Sequence, residues 1–334
     1  MFRIRFQATL LSFILVFLVP TVLVISLSLY YSATFATIDL SSQIINQTAE
    51  RIEQKVTDFL NTATSIARTN KNLLESGTLS DKKFDTLGKL YHWQLKEIED
   101  LNYITLGTEN GDKIECFRGS NGSLTVRELI RDSEGNVSGG DYRIEGTKKI
   151  LIKDQTGNPY DPRIRPWYKA GKEARSQVWT DSYIFTAKPP TPSMPGCSFV
   201  IPLYRPNGVF FGISLADFTY YSTCNFLKSL KIGKRGIAFI VEYSKKGERN
   251  VIAHPDPTKL LQKNPDGSLK LVPLVELADA RVQGFARLLP DSENTGGLFQ
   301  KKTITFPIDG KDFLGTFRCL DFLRGEKYPR WVIC

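Results

Sequence analysis

The spacing of apolar residues changes several times along this 334-residue chain, and each change predicts a different kind of element. Residues 9–31 read TLLSFILVFLVPTVLVISLSLYY and carry no charge. A helix of about twenty such residues spans a hydrocarbon layer of about 30 Å. The stretch therefore predicts a membrane helix, with Pro20 tolerated inside it. Residues 37–76 contain neither glycine nor proline, and Ile45, Ile52, Phe59, Ile66 and Leu73 form a heptad row with Ala49, Val56 and Ala63 between them. This predicts a second helical length of about 60 Å, ended by Gly77 in the place of a left-handed C-cap. Two arrangements are open for its stripe: packing on the sheets that follow, or a parallel seam with a second copy of the chain.

After a further helical stretch at 80–101 the period falls to two. Tyr103-Ile104-Thr105-Leu106 and Lys113-Ile114-Glu115-Cys116-Phe117 flank Asn110-Gly111, a strong hairpin turn signal. More strands are expected at 123–131, 141–152, 176–186, 197–204 and 209–217, following one another as an antiparallel meander. Pro189, Pro190, Pro192 and Pro195 have no N–H to donate to a ladder, so 189–195 reads as a stiff exposed excursion. A helical connector at 220–230 leads to a second, smaller sheet with strands at 233–241, 250–256 and 310–322. The fold class is α+β. The expected division is a signal anchor at 1–35, a stalk and spine helix at 36–77, a first sheet module at 78–231 and a second at 232–334. The second has fewer converging polar aromatics and is assigned a structural or relaying role. The apolar strand Trp331-Val332-Ile333-Cys334 stops with the chain and reads as a cut ahead of a second membrane helix.

Composition narrows the function. A hydrophobic share of 41% supports packed cores. The net charge of +9 is scattered without a run or stripe, which suits solubility or an anionic membrane surface and excludes a nucleic-acid footprint. Arg3 and Arg5 precede the membrane helix and Tyr30 and Tyr31 close it, so the N-terminus is expected in the cytoplasm and the rest outside the inner membrane. A cleavable signal peptide has a shorter apolar run. The five cysteines include no CxxC pair. A bridge such as Cys197 to Cys224 or buried free thiols are both open. His92 and His254, the two histidines, support no metal cluster. No hydrolase, phosphate-loop or zinc-protease motif occurs, so neither enzyme activity nor a cofactor is expected.

The chemistry gathers between 160 and 217. Arg165 is followed by Trp167 and Tyr168; a guanidinium binds a carboxylate through two bonds, and the indole and phenol can complete that site. Asp217 ends a strand where its carboxylate can receive an ammonium, and Tyr160 and Tyr183 can close around the ligand. The competing reading pairs Arg163 or Arg165 with Asp161 or Asp181 and leaves Trp167 and Tyr168 as core filling.

These residues carry a resemblance. Asp161-Pro162-Arg163-x-Arg165-Pro166-Trp167-Tyr168 with Trp179-Thr180-Asp181-x-Tyr183 resembles the signature of double Cache extracellular sensor domains, and Gly233-Lys234-x-Gly236 with Ala253-His254-Pro255-Asp256 resembles the start of their second module. The spacing of Tyr160, Arg165, Trp167, Tyr168, Tyr183 and Asp217 is similar to the amino-acid-binding subset. The resemblance implies two PAS-like antiparallel-sheet modules, with the ligand pocket in the membrane-distal one. It places Arg165 and Trp167 on a ligand carboxylate, Asp217 on the amine and the tyrosines in the same pocket. The implied function is the sensory input of a transmembrane chemoreceptor, histidine kinase or cyclase; the alternative is an anchored or secreted solute-binding protein. Two features depart from the pattern: the proline-rich insertion lengthens the interval from Tyr183 to Asp217, and Leu215-Ala216-Asp217-Phe218 replaces the commoner Gly-Val-Asp-Ile style of strand end.

Overall fold

The computed structural model describes residues 2–185, 193–289, 302–320 and 330–334. Most of the expected proline-rich excursion lies outside the described residues, although Met194 and Pro195 already belong to a strand. Helix α1 runs over Phe2–Glu75 with Pro20 inside it. The chain divides into two compact units, residues 1–48 and 49–334. In the first, the apolar residues from Leu10 to Tyr31 are exposed, and the helix is long and apolar enough to cross a membrane, the one such helix among the described residues.

In the second unit, α1 from Ala49 onward packs into the main core, which is the first of the two arrangements left open above. The heptad row does not keep to one face. Ile52 and Phe59 are buried, Ile66 and Leu73 only partly so, and Ala63, Ala67 and Leu74 take over. A straight α-helix drifts ~20° per heptad against a strict seven-residue repeat, which rotates the row off a fixed face. Helix α2, Phe84–Glu97, buries Phe84, Leu87, Tyr91 and Leu95 at helical spacing.

The first sheet contains β1 (Tyr103–Thr108), β2 (Lys113–Arg118), β3 (Leu124–Arg131), β4 (Val137–Glu145), β5 (Lys148–Asp154), β6 (Val178–Trp179), β7 (Tyr183–Phe185), β8 (Met194–Tyr204) and β9 (Phe210–Thr219). Its order is β5-β4-β3-β2-β1-β9-β8-β6, with β7 also on β8. The simple meander is therefore interrupted. β9 returns to the open edge of β1, with Tyr103 opposite Asp217 and Thr105 opposite Leu215, and so covers backbone groups that would otherwise face solvent. Two expected strands are each divided: a turn at Gly146-Thr147 separates β4 from β5, and 176–186 holds the short β6 and β7. Between them lies helix α3, Pro166–Ala174, opened by Pro166 in its first turn, where a proline's missing N–H and fixed φ suit a helix start.

Alternation along these strands sorts two chemistries onto two faces. Ile104, Leu106, Ile114, Cys116 and Val126 join the buried core with α1 and α2. The alternate positions Tyr103, Thr105, Lys113, Glu115, Phe117 and Arg127 line a cavity on the other face.

Helix α4, Tyr221–Ser229, leads to β10 (Ile240–Tyr243), β11 (Arg249–Ala253), β12 (Leu261–Lys263), β13 (Leu269–Leu271), α5 (Ala280–Ala286), β14 (Lys302–Ile308), β15 (Lys311–Leu320) and β16 (Arg330–Ile333). The second sheet has the order β11-β10-β16-β15-β14, and β12 and β13 form a separate ribbon. β16 is paired on both sides, by β10 and β15, which explains why Trp331, Val332 and Ile333 are continuously apolar and buried. Arg318 on β15 pairs with Glu53 and, at 3.1 Å, with Glu50 of α1. All five cysteines are free thiols.

Candidate functional site

The motif 161–168 is a folded device for aiming two side chains. Asp161 accepts from the Arg163 backbone N–H at 2.9 Å and caps the short turn Pro162–Ile164. The Arg163 guanidinium grips the same carboxylate at 2.7 Å. Arg163 thus takes the pairing role, and Arg165 stands in extended backbone at the N-cap of α3 and lines the cavity. Trp167 follows one residue into the helix and lies against β1 at Gly107, where a Cβ would come within 2.6 Å of the indole ring. Any side chain at Gly107 would displace the tryptophan.

Tyr160, Arg165, Trp167, Tyr183 and Asp217 line one cavity of about 510 Å³, within the range of small-molecule sites. Tyr168 is not among its lining residues. It packs with Trp167, Val178, Val200, Ile213 and Leu215, and its hydroxyl donates to Glu109 at 2.9 Å. Successive residues near the start of a helix point about 100° apart, so Trp167 and Tyr168 cannot both face the cavity. The Arg165 guanidinium lies 5.7 Å from the Tyr160 ring.

Asp217 is 6% exposed, held on β9 between Tyr103 of β1 and Ser198 of β8. Ser198 is a polar neighbour of its carboxyl, and the Ser198 hydroxyl is 2.7 Å from the Tyr183 hydroxyl. The carboxyl oxygen Oδ1 is buried and has no hydrogen-bond partner. Burial pushes the Asp217 carboxyl up to about 8; the Ser198 hydroxyl and the Lys113 charge pull it down, and the Glu115 charge pushes it further up. Burial likewise raises the Tyr183 phenol well above its ordinary value.

Sequence reasoning missed the charged floor. Lys113 and Glu115 pair at 2.6 Å; Arg127 lies 3.5 Å from Glu115 and 2.6 Å from Asp141. Gln155 donates to Asp141 at 2.7 Å, and Lys113 sits 4.1 Å from the centre of the Tyr160 ring. The available signal was the alternation in Lys113-x-Glu115-x-Phe117, charged or aromatic on the face opposite Ile114 and Cys116. Among the described residues no group of histidine, cysteine and carboxylate side chains could hold a metal ion.

No family model matches the chain. It is 30% identical over 156 residues to the methyl-accepting chemotaxis protein McpG of Pseudomonas putida, covering 46% of this chain and 23% of that protein. It is 27% identical over 140 residues to the methyl-accepting chemotaxis protein PctB of Pseudomonas aeruginosa, covering 41% and 21%. The matched stretch thus spans under a quarter of each relative's length. Among solved structures, the ligand-binding domain of the Campylobacter jejuni chemoreceptor Tlp3 in complex with L-valine aligns over 91% of this chain and 93% of that one, at a TM-score of 0.50 and 10% identity. The same domain with 4-methylisoleucine gives 88%, 90%, 0.50 and 10%. The fold is that of double Cache chemoreceptor ligand-binding domains.

Proposed function

We propose that this chain is the extracytoplasmic sensing region of a transmembrane signal-transduction receptor and that its cavity binds a free amino acid or related amine carboxylate. The observation that carries the reading is the unpartnered, buried Asp217 Oδ1 in the same cavity as Arg165, Trp167, Tyr160 and Tyr183. A buried carboxylate oxygen without a donor is costly, and a ligand ammonium supplies the missing donor and charge. Arg165 and the Trp167 indole N–H take the ligand carboxylate, while Tyr160 and Tyr183 enclose the backbone between them. The relatives are methyl-accepting chemotaxis proteins, which favours a signalling output over a solute-binding protein without one.

In this reading residues 9–31 of α1 cross the membrane with the N-terminus in the cytoplasm, the module 78–231 is membrane-distal, and the module 232–334 is proximal and relays. The exposed part of α1 is the surface through which two copies associate. Scanning fluorimetry of the full chain in detergent, against the common L-amino acids, amines and carboxylates, tests the binding claim. A ligand that binds the folded state raises the midpoint by mass action. The shift is expected for at least one amino acid and is expected to vanish in Arg165→Ala and Asp217→Ala; a shift that survives in both variants rejects the pocket.

A further inference from the structure

The cavity holds more positive than negative charge, and the excess is independent of how a ligand lies in it. Five cations line it, Lys113, Arg118, Arg127, Lys153 and Arg165, against the two lining carboxylates Glu115 and Asp217. Asp141, just behind, takes Arg127 through two bonds at 2.6 and 2.8 Å. Five cations against three carboxylates leave a surplus even with Asp217 ionised. A zwitterion adds no net charge and leaves that surplus unanswered.

The surplus has a place. The pairing registers align Glu115 with Arg127, Arg127 with Asp141, and Asp141 with Lys153, so charges alternate across β2, β3, β4 and β5. Each interior member has an opposite charge on both sides. The row ends on Lys153, whose neighbour Asp141 is already occupied by Arg127 and Gln155. Lys153 is exposed, lines the cavity, and makes no ion pair among the described residues. A cation at the far end of a charge row is placed to meet an anion that the protein does not supply.

Building on the amino-acid reading above, we infer that the cavity selects an amino acid whose side chain carries a second carboxylate, of the aspartate or glutamate class, and discriminates against cationic amino acids. The α-carboxylate and ammonium occupy Arg165 and Asp217, and the side-chain carboxylate extends over the sheet toward Lys153. Neutral amide side chains keep the shape but not the charge, so they fit less well. Cationic side chains add to the surplus and are repelled.

Isothermal titration of the full chain in detergent at low salt, with L-glutamate, L-aspartate, L-glutamine and L-arginine, tests this. L-Glutamate or L-aspartate is expected to bind at least tenfold more tightly than L-glutamine, with L-arginine weakest. Lys153→Ala, an exposed substitution on an edge strand that leaves the interior pairs intact, is expected to narrow the acid-to-amide ratio, and Lys153→Glu to invert it. Equal or tighter binding of L-glutamine or L-arginine, with a ratio unmoved by Lys153→Glu, overturns the charge inference and leaves the amino-acid reading standing. Failure of all four to bind removes the charge inference, and failure of the whole fluorimetry panel of amino acids, amines and carboxylates removes both.

Discussion

Asp217 and Glu242 are two buried carboxylates on neighbouring sheets, and they differ in what surrounds them. Burial pushes both up, Asp217 to about 8 and Glu242 to about 7. Glu242 on β10 receives the Ser182 backbone N–H at 3.1 Å, the Ser182 hydroxyl at 2.7 Å and the Trp331 indole N–H at 3.1 Å. These donors come from the loop before β7 and from β16, so Glu242 fastens the second sheet to the residue next to Tyr183. Asp217 Oδ1 has no donor and faces a cavity. Burial alone therefore does not mark a functional carboxylate; a missing donor on the wall of a cavity does. Where Glu242 is compensated from within the fold, Asp217 is left for a ligand.

The largest expected effect separates the two residues by readout. Asp217→Asn removes the negative charge that answers the ligand ammonium and is expected to weaken amino-acid binding by about a hundredfold, roughly 3 kcal/mol, with the melting midpoint of the free protein unchanged or raised. Glu242→Ala leaves the Ser182 and Trp331 donors buried and unpaired. It is expected to cost about 2 kcal/mol of stability in denaturant titrations, and its effect on affinity is expected to be the smaller of the two. If Asp217→Asn destabilises as much as Glu242→Ala and spares binding, the contrast fails.

A smaller effect follows pH. Both carboxyls hold their protons more tightly folded than unfolded, so each contributes stability that is lost as pH rises from ordinary carboxylate values through about 7 for Glu242 and about 8 for Asp217. The melting midpoint is expected to fall over that interval, and Asp217→Asn is expected to flatten its upper part. Ligand affinity moves the other way and is expected to rise toward pH 8 as Asp217 ionises. The groups facing it are Tyr103, Tyr183, Ser198, Glu115 and Lys113. The smallest effect belongs to Tyr168→Phe, whose hydroxyl serves Glu109 outside the cavity. It is expected to change affinity by less than about twofold, since at most one neutral-to-charged hydrogen bond of the scaffold is lost; a large loss would place Tyr168 in the pocket.

What the sequence made legible was local. The uncharged run at 9–31 and the Asn110-Gly111 hairpin each lie within a few residues of their partners, and each was readable as written; the turn at Pro162–Ile164 capped by Asp161 is equally local but is not among the expected elements. The charged floor was not legible, because it depends on which face of β2 and β3 packs on the helices and which lines the cavity, and on the registers that bring Glu115, Arg127, Asp141 and Lys153 into one row across four strands. Tyr168 lies outside the cavity lining for a related reason. Its neighbour Trp167 faces the cavity, and only the start of α3 at Pro166 turns the next side chain away. The division of 141–152 into β4 and β5 turned on Gly146-Thr147, a turn hidden inside an otherwise strand-like stretch.

The most direct test of Asp217 as the ammonium acceptor is proton release on binding. The L-amino acid that gives the strongest midpoint shift is titrated calorimetrically at pH 7 in two buffers of different ionisation enthalpy. A carboxyl that holds its proton in the empty cavity and ionises against a bound ammonium releases close to one proton per ligand, and Asp217→Asn abolishes both this release and the tight binding. Equal binding enthalpies in the two buffers, or a proton release retained by Asp217→Asn, would contradict it.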